Sequence, residues 1–363
     1  MKSTRLGLVL GTGLALVATG CSHRSGPAST IPKTAPTSRA AAADVSTGQA
    51  AVPSTGCSQP AGPELSGQKE TIEVGGTSRF YLLSTPPPPA GSTAIPRPVV
   101  VDFHGLDEGA GVHEATSLFG PLGQKDGFVA VYPNGTGTPV HWDTAPSPSN
   151  PDLVYVNAML DQLESTLCLD TSRIYATGFS DGAIMTSTLA CTMADRFAAF
   201  APVSGITLPS PCPLSRKIPI LTFHGTADPV LYFNGGYNSK ALGPLFNHSA
   251  PDSGAPTTSS TTTTTLPPNL NGAGIPATVA TWAKLQDCQP KPTDVQLTPH
   301  VIHRTYPCPA GAAVEFDIVE GAGHAWPGST FSQKIAAVTG PTTFEIDGSA
   351  VIWAFFQGYR LPS

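Results

Sequence analysis

Three things are missing from this 363-residue chain. No cluster of Cys and His has metal-ligand spacing, which disfavours a zinc mechanism. There is no basic excess: 19 Lys and Arg against 25 Asp and Glu leave a formal charge of −6, and an acidic surface argues against nucleic acid as a partner. The apolar run from Leu6 to Val17 is too short for a lasting membrane span; behind Lys2 and Arg5 it reads as the core of a signal peptide. Loss of those two positive charges with the signal takes the charge from −6 to −8.

The signal closes on Ala18-Thr19-Gly20-Cys21, a small-residue site that resembles a bacterial lipobox over residues 1–21. It implies a lipid anchor on Cys21 at the cell surface; the alternative is cleavage nearby and a soluble secreted protein. Residues 22–56 are rich in Ser, Thr, Pro and Ala and have too little apolar surface to offset the entropy of ordering, so they read as a tether. Such a segment has a mean reach of roughly 30 Å. With Cys21 given to lipid, Cys57, Cys168, Cys191, Cys212, Cys288 and Cys308 remain, an even number that suggests three disulfides in an exported chain. Cys288 with Cys308 is the favoured pair, because the two flank one short connection; the other four stay unpaired at this level.

Residues 57–363 suffice for one α/β domain. Strand-like runs at 79–83, 98–103, 128–132, 173–177, 197–203, 218–223 and 313–319 alternate with helical patterns, as in Val156, Met159, Leu160 and Leu163. That alternation predicts a mostly parallel sheet with helices on both faces. The segment 248–271, with its threonine run and Pro267-Pro268, reads as a low-complexity surface insertion.

Within this frame Gly178-Phe179-Ser180-Asp181-Gly182 follows a strand-like run and precedes a helix-like one. The match alone is weak, since it is expected by chance about 0.3 times in so glycine-rich a chain. The strand, sharp turn and helix around it are what an exposed serine nucleophile requires, and they make Ser180 the candidate. Two further loops at strand ends carry Asp228 and His324, in the chain order that a serine, acid and base take in such a sheet. Asp195, Asp252, Asp287, Asp294 and Glu320 are poorer acids by context, and His224, His248, His300 and His303 poorer bases. The amides of Asp181 and of Leu106, after the strand-like run ending in Asp102-Phe103, are the candidate oxyanion donors. His104 then shapes its loop.

The segments His104-Gly105, Ala176 to Gly182, Phe197 to Gly205, His224 to Val230 and Gly323 to Gly328 together resemble the polyhydroxybutyrate depolymerase and feruloyl esterase family of α/β-hydrolases, over nearly all of the chain from Cys57. The resemblance implies an α/β-hydrolase fold and a secreted carboxylic ester hydrolase with Ser180 as nucleophile, Asp228 as acid and His324 as base. It places Trp326 beside the site. With Trp142 and Phe119, Trp326 is a candidate wall of an aromatic-friendly substrate pocket. Relatives often carry cysteine or glycine where Leu106 stands. The chain carries no polymer-binding domain after its last helix-like run, so soluble or oligomeric esters of feruloyl, acetyl or short hydroxyalkanoate type are the expected substrates of a monomer. The chemistry calls for no cofactor. An acyltransferase to a sugar acceptor and a non-catalytic lipid-anchored binding protein remain the alternatives.

Overall fold

Apolar runs without helical period become the strands of one sheet. The computed structural model describes residues 49–89, 94–240 and 267–362, and among these it forms β1 (Leu65–Val74), β2 (Thr77–Thr85), β3 (Arg97–Phe103), β4 (Val129–Pro133), β5 (Leu169–Phe179), β6 (Ala199–Val203), β7 (Pro219–Gly225), β8 (Thr293–Thr298), β9 (Val301–Tyr306) and β10 (Ala313–Val319). They lie side by side in the order β1-β2-β4-β3-β5-β6-β7-β10-β9-β8. The central strands β4, β3, β5, β6, β7 and β10 are parallel, and an antiparallel pair closes each end.

The central strands are buried on both faces, so alternate residues enter different cores. Val99, Val101 and Phe103 of β3 pack in one with Phe200 and Phe316; Val100 packs in the other with Tyr175 and Phe223. Helices α3 (Pro151–Thr166), α4 (Asp181–Thr192) and α5 (Ile275–Leu285) cover the first face. Helices α1 (Gly109–Ser117), α2 (Phe119–Asp126) and α8 (Gly348–Phe356) belong to the second, with the short α6 (Thr330–Lys334) and α7 (Ala336–Thr339) between β10 and α8. Helix α3 begins where Pro151 fixes its first turn and the Asn150 side chain accepts from the amides of Asp152 and Leu153. Val156, Met159, Leu160 and Leu163 form its buried stripe.

The sheet has the expected mostly parallel α/β form, with three strands the sequence did not announce. Strand β8 is almost wholly exposed and β1 alternates between exposed and half-buried, so neither carries a run of core residues. Strand β9 breaks its apolar pattern with His303 and Arg304, which pair with Asp317 and Asp294.

Residues 52–56, expected as the end of the 22–56 tether, are held along the start of β5. The amides of Val52 and Ser54 donate to Asp170 Oδ1 and the Leu169 carbonyl, Pro53 bridges Asp170, and Thr55–Ser58 makes a short 3-10 turn. A Ser/Thr/Pro-rich composition conceals this because its polar groups are satisfied by β5 rather than by water. Cys57 is bonded to Cys168, Cys191 to Cys212, and Cys288 to Cys308. At the far end of the low-complexity segment, Pro267 and Leu270 accept hydrogen bonds from Asn234 and Arg304. The expected signal region with Cys21, the expected tether before residue 49 and residues 248–266 of the expected insertion lie outside the described residues.

Candidate active site

Ser180 stands between β5 and α4 with φ 55° and ψ −114°, a conformation that costs a non-glycine residue about 1–3 kcal/mol and lifts its side chain off the backbone. The flanking glycines are forced by close approach. A Cβ on Gly178 would lie 2.5 Å from the Gly182 carbonyl oxygen, and one on Gly182 would lie 2.0 Å from that of Phe103. The Ser180 amide donates to the Val203 carbonyl at 3.0 Å, and its own carbonyl accepts from Ala183 and Ile184. The hydroxyl thus sits at the positive end of α4.

Asp228 and His324 reach the same end of the sheet on the loops after β7 and β10, which are parallel neighbours. His324 Nδ1 donates to Asp228 Oδ2 at 2.8 Å. The other carboxylate oxygen accepts from the amides of Val230 (2.8 Å) and Leu231 (2.9 Å), and His224 Nε2 lies 3.2 Å from Oδ2. Burial opposes ionisation of Asp228, but His324 and His224 outweigh it and hold the carboxyl well below the usual carboxylate range. A carboxylate at Nδ1 fixes the proton there and leaves Nε2 as the basic nitrogen. The His324 loop is held by its own amide on Thr339 O (2.6 Å) and by Gly323 N–H on Pro341 O (2.7 Å). The ring of Phe179, the residue before Ser180, packs 4.8 Å from that of His324. Among the described residues no hydrogen bond joins Ser180 Oγ to His324; such contacts are often long before substrate binds.

The amides of Leu106 and Asp181 have no acceptor among the described residues, as oxyanion donors require. The Leu106 loop is anchored from several sides. His104 donates from Nδ1 to the Gly105 carbonyl and accepts the Gly135 amide at Nε2 (2.9 Å); desolvation drops its pKa to about 4, so it is neutral. Glu108 Oε2 accepts the Gly105 amide at 2.8 Å.

Beneath the loop lies a buried ionic cluster that the sequence reading missed. His113 Nε2 is 2.8 Å from Asp102 Oδ1, His113 Nδ1 is 3.3 Å from Glu108 Oε2, and Ser117 donates to Asp102 Oδ2. Burial alone would keep His113 neutral, but the charges and hydrogen bonds of Asp102 and Glu108 raise its pKa to about 10. An Asp inside the apolar run Val99 to Phe103 was the available signal, because a buried carboxylate needs a partner.

The aromatic candidates are a correction. Trp142 and Trp326 are each 1% exposed and Phe119 is fully buried, so none walls an open substrate cleft. The Trp326 indole donates to Ser349 Oγ and meets His113 and Phe119 edge-on. Trp142 donates from its main chain to Asp181 Oδ2 and from its indole to the His104 carbonyl, each at 2.9 Å. Partially apolar sequence surroundings cannot distinguish a pocket wall from a core residue whose N–H is satisfied. Among the described residues no three His, Cys, Asp or Glu side chains are gathered as metal ligands.

Residues 152–249 match the phospholipase/carboxylesterase family model of α/β-hydrolases. A putative esterase from Nocardia uniformis subsp. tsuyamanensis is 28% identical over 79% of this chain and 81% of its own length. Feruloyl esterase B from Piromyces equi is 28% identical over 63% of this chain, and a bifunctional acetylxylan esterase/xylanase from Neocallimastix patriciarum is 32% identical over 38%. The chain spans only 39% and 20% of the length of those last two. An acetyl xylan esterase from Aspergillus awamori superposes with a TM-score of 0.50 at 16% identity, covering 71% of this chain and 94% of that one; at that identity the likeness speaks to the fold.

Proposed function

Since this chain belongs to the α/β-hydrolases of feruloyl-esterase type, a family of carboxylic ester hydrolases, we propose that it cleaves esters through a Ser180 acyl-enzyme. Ser180 Oγ attacks the ester carbonyl while His324 Nε2 takes its proton. The N–H groups of Leu106 and Asp181 receive the oxyanion. His324 returns the proton to the leaving alcohol, and water attacks the acyl-enzyme with His324 again as base. Asp228 keeps the imidazole in the reactive tautomer and stabilises its charged form. The observation that supports this reading is the strained Ser180 at the head of α4, with the hydrogen-bonded Asp228–His324 pair on loops at the same end of the parallel strands.

The substrate class in this proposal is a feruloyl or acetyl ester or a short hydroxyalkanoate oligomer, and no nucleic acid is involved. Three disulfides support an exported protein working in an oxidising compartment. Lipid attachment at Cys21 belongs to the same proposal, and incorporation of labelled palmitate that vanishes in Cys21→Ala tests it.

The test of the chemistry is hydrolysis by the purified chain of acetyl esters, methyl ferulate and 3-hydroxybutyrate oligomers, each beside Ser180→Ala. The substitution is expected to lower kcat by about 10⁴-fold or more on the preferred member, by the loss of the nucleophile. Full activity in a folded Ser180→Ala protein refutes the assignment. Sugar acceptors added to the same assay separate hydrolysis from transfer, since free acid remains the main product of a hydrolase.

A further inference from the structure

Trp142 connects the two backbone segments that bear the oxyanion donors. One is α4, which begins at Asp181; the other is the irregular loop after β3 that carries Leu106. Strands β3 and β5 are in register only as far as Phe103 opposite Gly178. Beyond that pair no ladder bond sets the distance between the loop and the helix. Trp142 reaches across the gap. Its main-chain N–H donates to the Asp181 carboxyl and its indole N–H to the His104 carbonyl, two residues before Leu106, both at 2.9 Å. The indole lies 4.7 Å from the His104 ring and meets Phe103 edge-on at 5.3 Å. The connection that carries Trp142 holds the same loop twice more, through Gly135 N–H on His104 Nε2 and Val140 O on Asp107 N–H.

We propose that Trp142 is a positioning residue that sets the separation of the Leu106 and Asp181 amides, and so matches the site to a tetrahedral oxyanion. The inference rests on the Ser180 reading above. Donors aimed at an oxyanion are effective over a narrow range of distance, and an error near 1 Å can cost about 100-fold in rate. A residue that only filled the core would have no reason to spend one N–H on each side of the gap.

The experiment uses the full chain with Trp142→Phe, Asp181→Ala and the double variant. Each single change is expected to lower kcat about 10- to 100-fold with KM nearly unchanged. Affinity for an aryl boronic acid, which forms a tetrahedral adduct on the nucleophile, should fall in parallel. Because both changes cut the same connection, the double variant should be little worse than the poorer single one. Should Trp142→Phe fail to fold, Asp181→Ala alone carries the kcat and boronate readouts. A folded variant with wild-type kcat and boronate affinity, or a loss confined to KM, overturns the proposal. Ser180→Ala run alongside separates the two readings: an inactive Ser180→Ala with an unimpaired Trp142→Phe defeats the positioning role alone, whereas an active Ser180→Ala defeats both.

Discussion

Asp181 sits one residue after Ser180 with a buried carboxyl. Desolvation raises its pKa to about 7 even though the Trp142 amide favours the charged form. In the unfolded chain an aspartate titrates near 3.9. Folding therefore takes up a proton between about pH 4 and pH 7. The stabilisation is fully present below that window and is lost as pH rises through it. Asp181→Asn keeps an acceptor for Trp142 and removes the titration, so its urea midpoint should be flatter than wild type between pH 4 and 7 and higher above pH 7. Parallel curves for the two proteins would show that the burial carries no such linkage. At this scale the sequence exposed Asp228 and His324 as candidates to meet because each closes a strand-like run with a short loop, and the fold does hydrogen-bond them. It did not expose His113, whose partners Asp102 and Glu108 come from a strand and a loop turn that meet it only after α1 folds back.

The element that most constrains the site is the start of α4, pressed against the end of β3. A methyl group on Gly182 would meet the carbonyl oxygens of Phe103 and His104 at 2.0 and 2.7 Å, and backbone cannot swing aside as a side chain can. Gly182→Ala is expected to cost about 3 kcal/mol or more, an overpacking penalty at the upper end. Gly111→Ala in α1, with open space around it, serves as the control and should leave the urea midpoint unchanged or slightly raised. Equal midpoints for the two variants would remove the steric account of the motif. The elbow was legible because glycine at both flanks is demanded by contact across one short turn. The edge strands β1 and β8 were not, because β1 alternates only between water and half-burial and β8 is almost wholly exposed, so neither carries a run of core residues and each is held as a strand by pairing with the next strand in the chain.

Over the whole molecule, Cys57–Cys168 closes a loop with a sequence separation of 111 that contains β1 to β4 and α1 to α3, whereas Cys288–Cys308 closes one of 20. Loop-closure entropy makes the first worth about 4–5 kcal/mol and the second about 3. Cys57→Ser with Cys168→Ser should lower Tm by roughly 10 °C, and more than Cys288→Ser with Cys308→Ser, as read by calorimetry. The reverse order would place the stabilisation in the native state rather than in the unfolded chain. Composition foretold an even set of disulfides, but the long pairing depended on residues 51–58 lying along β5, which polar side chains and prolines concealed.

The parallel centre of the sheet draws Ser180 from β5, Asp228 from β7 and His324 from β10, and β10 has no place until β7 is there to pair with it. On the proposed mechanism, a chain emerging from the ribosome therefore carries Ser180 long before it has His324 as a base. On that proposal the partly made chain is expected to be chemically silent toward esters until β10 is in place. Recovery of activity during refolding then times the docking of β10, a late and non-local event, rather than the collapse that precedes it.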